Sequence, residues 1–243
     1  MPPSSPQALQ FSLQVPPSGD LSHFSITGIV PAVKAAAPSG AVAVDRAPAD
    51  NISGVIAKYQ SLSGNLPNTY GNAVALWNSL LPNLSTSPLK TALVTTDDQI
   101  GEVFIDYGLS LTNYSVTYQL GSSTHTICAM AQIRQGSAAA SLPMFVSIQI
   151  QSITTSTVSV LYSTLPGYQP SKYGNWIGMW PGFALPYDAP PPWKQAKVDS
   201  PYSQGRVTLD FENVTPDYTL VYFTGPELTH AAALLYFTVS APQ

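Results

Sequence analysis

Charge is what this chain has least of. Asp, Glu, Lys and Arg make up 9% of its 243 residues, against about 25% in an ordinary soluble domain. The nine basic residues are spread thinly and the net charge is −4, so there is no cationic stripe for phosphates and no nucleic-acid partner is expected. The one cysteine, Cys128, rules out an intrachain disulfide. It sits in the apolar run Ile127-Cys-Ala-Met130 and reads as a small buried hydrophobe. No apolar run approaches the ~18 residues of a spanning helix. The opening Met-Pro-Pro-Ser-Ser-Pro lacks the basic-then-apolar pattern of a Sec-type signal peptide. The expected residence is therefore cytosolic, or extracellular by another route or after processing.

The groups that carry chemistry are also scarce. His23, His125 and His230 are the only histidines, and none stands in a set of three or four His, Cys or carboxylate groups at zinc-binding spacing. His125 and His230 each follow a Gly turn, Gly121 or Gly225, where a ring fastens the turn. No Gly-X-Ser-X-Gly elbow and no phosphate-cradling glycine loop followed by Lys occurs. Asp97 and Asp98 are adjacent but lack the spaced oxygen ligands of a calcium loop. Asp106 and Asp210 fall in different parts of the chain and cannot be presumed to form the close carboxylate pair of a glycosidase. The expectation is a protein without catalysis, cofactor or metal.

What the chain does have is a copy of itself. Tyr70-Gly-Asn-Ala-Val-Ala-Leu-Trp77 returns as Tyr173-Gly-Asn-Trp-Ile-Gly-Met-Trp180, 103 positions on. The same offset superposes Val55 on Val158, Tyr59 on Tyr162, Leu62 on Leu165, Gly64 on Gly167 and Pro67 on Pro170. After one inserted residue the match resumes, with Lys90 on Lys194, Val103 on Val207, Tyr114 on Tyr218 and Tyr118 on Tyr222. A tandem duplication follows, divided as an N-terminal arm over 1–39, a first repeat over 40–134, a linker over 135–142 and a second repeat over 143–243. The arm is read as adding a strand or hairpin to the first repeat, or as pairing with a neighbouring molecule.

Each repeat carries seven short segments alternating in period two, such as Gly205-Arg-Val-Thr-Leu-Asp-Phe211, with Pro, Gly or Asn between them. The first pair is placed at about 41–45 and 144–150 and the last at 125–133 and 230–240. Thr229-His-Ala-Ala-Ala-Leu-Leu is ambiguous alone, and its place in the repeat argues strand. The pattern predicts an all-β protein of two tandem seven-stranded Ig- or fibronectin-like antiparallel sandwiches.

Asn175-Trp-Ile-Gly-Met-Trp180, Trp193, Gly205–Phe211, Asp217-Tyr-Thr-Leu-Val-Tyr-Phe223 and Leu235-Tyr-Phe-Thr-Val239 together resemble the Ig-like module with an Asp-Trp-Ile-Gly-Leu-Tyr core. That module is found in SKICH domains and in accessory domains of some phosphoesterases. The resemblance covers about 70 residues of the second repeat and, more faintly, the first. Asn175 and Asn72 replace its Asp, and Ala73 replaces the following Trp in the first copy. It implies an interaction or accessory domain without catalysis.

The two copies differ in one direction. Asn65, Ala73, Asn83, Leu89 and Asp98 of the first become Tyr168, Trp176, Tyr187, Trp193 and Tyr202 of the second. Several of these rings lie in Pro-rich surroundings where burial is difficult, beside Asn175 and Asp188. Rings flanked by amides and carboxylates suit a sugar-binding face, and equally a protein interface; the other reading packs them against the first repeat. The candidate ligand-binding set is Trp176, Tyr187, Asp188, Trp193, Tyr168, Tyr202 and Asn175. The expected function is lectin-like glycan recognition. The alternative is a structural or self-assembling protein, coat-like or a secreted effector, that uses this surface and the arm for subunit contacts.

Overall fold

The computed structural model describes residues 10–14, 22–32, 54–110, 112–134, 144–212 and 214–240. They are all-β, arranged in several antiparallel sheets, none of them a barrel. Among the described residues no helix is long and apolar enough to cross a membrane.

In the first half, β2 (Ser25–Ala32), β3 (Gly54–Gln60) and β6 (Ile100–Ile105) form a small sheet in the order β2-β3-β6. It packs on a large sheet of β4 (Ala73–Trp77), β5 (Lys90–Leu93), β7 (Tyr114–Gln119), β8 (Ile127–Ile133) and β9 (Met144–Phe145), ordered β5-β4-β7-β8-β9. The second half repeats the plan. Its small sheet is β10 (Ser147–Ile153), β11 (Thr157–Ser163) and β14 (Gln204–Asp210). Its large sheet joins β12 (Trp176–Pro181), β13 (Lys194–Lys197), β15 (Asp217–Phe223), β16 (Ala231–Ser240) and β1 (Gln10–Gln14), ordered β1-β16-β15-β12-β13. Thr229-His-Ala resolves into one 3₁₀ turn, Leu228–His230, that opens directly into β16.

Alternation builds the small sheets. In β3, Val55, Ala57 and Tyr59 turn inward while Lys58 stays exposed, the half-buried pattern of a strand with one wet face. The large sheets differ, because β4, β7 and most of β8 are buried on both sides. Loops and the opposite half cover their outer face. Buried side chains from both halves, from Phe24 through Val239, join one continuous hydrophobic cluster.

The arm divides between the two halves. β1 pairs with β16 of the second half, Gln10 opposite Ser240 and Gln14 opposite Tyr236, whereas β2, within the 1–39 segment, is a full member of the first half's small sheet. Conversely β9, at the start of the second repeat, pairs with β8 of the first half, Ala129 opposite Phe145. Each half thus donates its leading strand to the other half's final strand. Where the crossing segments meet, His23 bridges Ala233, and its ring stacks on Phe145 at 3.7 Å and 14°. The strand expected at 41–45 and the linker at 135–142 lie outside the described residues.

Candidate binding surface

The Tyr-Gly-Asn motif that revealed the repeat is a structural device. Gly71 and Gly174 both have φ of +67°, a left-handed turn that favours glycine. The turn folds each Asn inward, its N–H on a proline carbonyl, Asn72 on Pro67 at 2.7 Å and Asn175 on Pro170 at 3.1 Å. The carbonyls of Asn72 and Asn175 accept from Val94 and Val198. Asn72 donates through Nδ2 to Asn65 Oδ1 and to the Tyr118 hydroxyl, and accepts from the Gly121 N–H. Asn175 donates through Nδ2 to the Tyr168 hydroxyl at 3.2 Å and accepts from the Tyr222 hydroxyl at 3.0 Å.

Two of the seven expected site residues are buried in these networks. Asn175 is 1% exposed and Tyr168 2%. Tyr168 enters the first half, where its hydroxyl reaches the His125 carbonyl at 2.5 Å. Its ring joins Ala75, Trp77, Ile127 and Met130 in a small apolar cluster, and burial drives its pKa upward. Tyr187 is half-buried at the same seam. It stacks on Tyr70 at 5.5 Å and lies over Gly64, where an added Cβ would stand 3.3 Å from its ring. Trp176 is half-buried on its own sheet, stacked on Phe223 at 3.9 Å, with Nε1 donating to the Gly225 carbonyl at 2.9 Å. The histidines also belong to this seam. His125 stacks on Tyr173 at 4.5 Å, and His230 presses against Gly225 and Gly121 with Nδ1 buried and unpartnered. Burial lowers its pKa.

Three of the expected residues remain accessible. Asp188 is exposed, Trp193 is half-buried over Tyr218 with Lys194 Nζ 4.9 Å from its ring centroid, and Tyr202 is 74% exposed. Tyr202 ends the loop that enters β14, and its carbonyl accepts from the Tyr162 hydroxyl at 3.3 Å. Immediately beyond it lies an open groove of about 510 Å³ lined by Gln151, Leu161, Tyr162, Gln204, Gly205 and Arg206. A second groove of about 350 Å³, at the junction of β13 and β14, shares Arg206 and adds Lys197, Asp199, Ser200 and Thr208. The expected residues therefore do not converge on one face, and Tyr202 alone adjoins the larger depression.

The walls of that groove come from strand register. The outer face of β10-β11-β14 presents Ser152–Ser159–Thr208, then Gln149–Leu161–Arg206, then Ser147–Ser163–Gln204. Ser159 and Thr208 hydroxyls are 3.4 Å apart, and Gln204 Nε2 donates to Ser163 Oγ at 3.3 Å. Gly205 is required because a Cβ there would sit 2.5 Å from the Tyr162 hydroxyl. The result is a flat field of hydroxyls and amides with one guanidinium and one aliphatic strip at Leu161, and the exposed Tyr202 stands two residues before Gln204 in the chain.

No protein-family model matches the chain, and no curated protein matches it significantly. The site is read from its own chemistry.

Gln151, Leu161, Gln204 and Arg206 were not among the expected residues. Only Arg206 was signalled, by the alternation of Gly205–Phe211, whose polar positions Arg206, Thr208 and Asp210 fall on one exposed face of β14.

Proposed function

We propose that this is a non-enzymatic binding protein that holds a neutral, hydroxyl-rich ligand, a glycan, on the outer face of β10-β11-β14. The single observation that carries this reading is the groove beside Tyr202. Glycan hydroxyls need paired donors and acceptors, which Gln151, Gln204 and the forked Arg206 guanidinium supply. The apolar face of a sugar ring needs a flat partner, which Tyr202 and Leu161 offer. Low charge suits an uncharged ligand.

We also infer that each half is a fibronectin-like variant of the seven-stranded Ig sandwich. Support comes from the order β2-β3-β6 over β5-β4-β7-β8, repeated as β10-β11-β14 over β13-β12-β15-β16. Further support comes from the tyrosine that opens β7 and β15. The Tyr114 hydroxyl accepts from the Ser110 N–H at 2.9 Å. The Tyr218 hydroxyl accepts from the Val214 N–H at 2.9 Å and donates to the Glu212 carbonyl at 3.1 Å. This is the tyrosine corner of Ig-like sandwiches. The resemblance to SKICH-type accessory modules agrees with a recognition role.

A glycan array probed with the wild type, Tyr202→Ala, Arg206→Ala and Trp193→Ala tests the binding reading. The wild type should retain a neutral glycan, and the Tyr202 and Arg206 variants should each weaken it about tenfold or more. Trp193→Ala should have a smaller effect. A wild type that binds no glycan dismisses the reading.

A further inference from the structure

The small sheet of the first half carries a surface with no counterpart in the second. Register sets Val30 opposite Ile56 and Ile56 opposite Phe104, so these three side chains form one row across β2-β3-β6. Val30 is 44% exposed, Phe104 43% and Ile100, four residues before it in β6 and on the same face, 68%. The equivalent row of the second half is Ser152–Ser159–Thr208, and Ile100 corresponds to Gln204. The row is built in place. Phe104 folds over Gly54, where a Cβ would lie 2.3 Å from the ring, so the ring is held flat against the sheet with its other face outward. The next row along the strands is Gly28–Lys58–Glu102. Lys58 and Glu102 are both exposed, and neither forms an ion pair among the described residues.

From this face we infer that a second copy of the chain docks, sheet against sheet, about a two-fold axis parallel to the strands and midway between β3 and β6. That operation exchanges β3 with β6 across the interface. It lays Ile56 on the second copy's Phe104 and sets Lys58 against its Glu102, each pair occurring twice, as an isologous contact requires. Aligned sheets pack face to face about 10 Å apart, within reach of a phenylalanine on one side and an isoleucine on the other. The charges favour this occupant over an unrelated one, because one cation and one anion on neighbouring strands complement themselves under this axis. Only β3 and β6 of each copy face a partner strand, which puts the contact among small interfaces and makes the association weak and concentration-dependent. It uses a different face from the glycan groove.

Sedimentation velocity over a concentration series tests the inference. The wild type should pass from monomer to dimer, and Phe104→Ser should remain monomeric. Lys58→Glu and Glu102→Lys should each weaken dimerisation several-fold, and the double exchange should restore it, a rescue that misfolding or general stickiness cannot produce. Arg206→Ala, in the glycan groove, should dimerise as the wild type does, so loss of either function is read separately. A wild type monomeric at every concentration overturns the inference, and so does association indifferent to the charge exchange.

Discussion

Asn65 and Tyr168 occupy the same position in the two halves, and what each does there separates framework from surface. Both are buried and both meet the Asn of the Tyr-Gly-Asn turn. Asn65 stays within its own half and leaves its Nδ2 without a partner. Tyr168 crosses the seam and fills a cluster on the first half's large sheet. Outside, the difference reverses, with an apolar row on the first half's small sheet and a hydroxyl field on the second's. One framework has therefore diverged twice, with aromatics gained at the seam and apolar side chains exchanged for polar ones on the outer face.

Substitutions at paired positions sharpen or break this comparison. The largest effect is expected from Tyr168→Ala, a buried aromatic reduced to a methyl, which should cost about 3–5 kcal/mol in urea unfolding. Asn65→Ala should cost only about 1 kcal/mol, and equal losses at the two positions would remove the asymmetry of the seam. Tyr114→Phe and Tyr218→Phe should each cost about 1–1.5 kcal/mol. These two losses should match, because the corner belongs to the framework, and a clear mismatch would mean that the halves do not share it.

Next comes pH. The ring of His230 is held neutral by burial, its pKa below the ordinary 6.5. In acid the unfolded chain binds the proton first, so stability falls as pH drops below about 6.5. His230→Gln should flatten that part of the curve of melting temperature against pH; a parallel pair of curves for wild type and His230→Gln would refute it. The smallest effect belongs to the outer face, where Phe104→Ser and Thr208→Ala should each change stability by about 0.5 kcal/mol or less, as chemical denaturation of the monomer would report.

Much of the framework could be read from residues alone. The strands expected at 125–133 and 230–240 are β8 (Ile127–Ile133) and β16 (Ala231–Ser240), within two residues at the N-terminal ends and without difference at the C-terminal ones. Period-two alternation and a duplicated pattern suffice for that. The candidate site was less legible. Tyr168 and Tyr187 stand in Gly- and Pro-rich loops that look exposed in one dimension, and only the packing of one half on the other buries them. Asn175 looked like a ligand group because a buried amide and a ligand-binding amide are the same residue type in the same motif. Cys128, by contrast, was legible as a buried hydrophobe, and it is fully buried with its pKa raised. The exchange of leading strands was beyond local pattern, since it pairs Gln10 with Ser240.

That exchange also says something about ancestry. A chain holding one such unit, with its leading strand on a neighbour's final strand, is a symmetric dimer, and each subunit is incomplete without the other. Joining two of these chains end to end yields the present topology without moving a strand. Fusion would have released both copies from the need to stay identical, so that one could be remodelled where the other was kept.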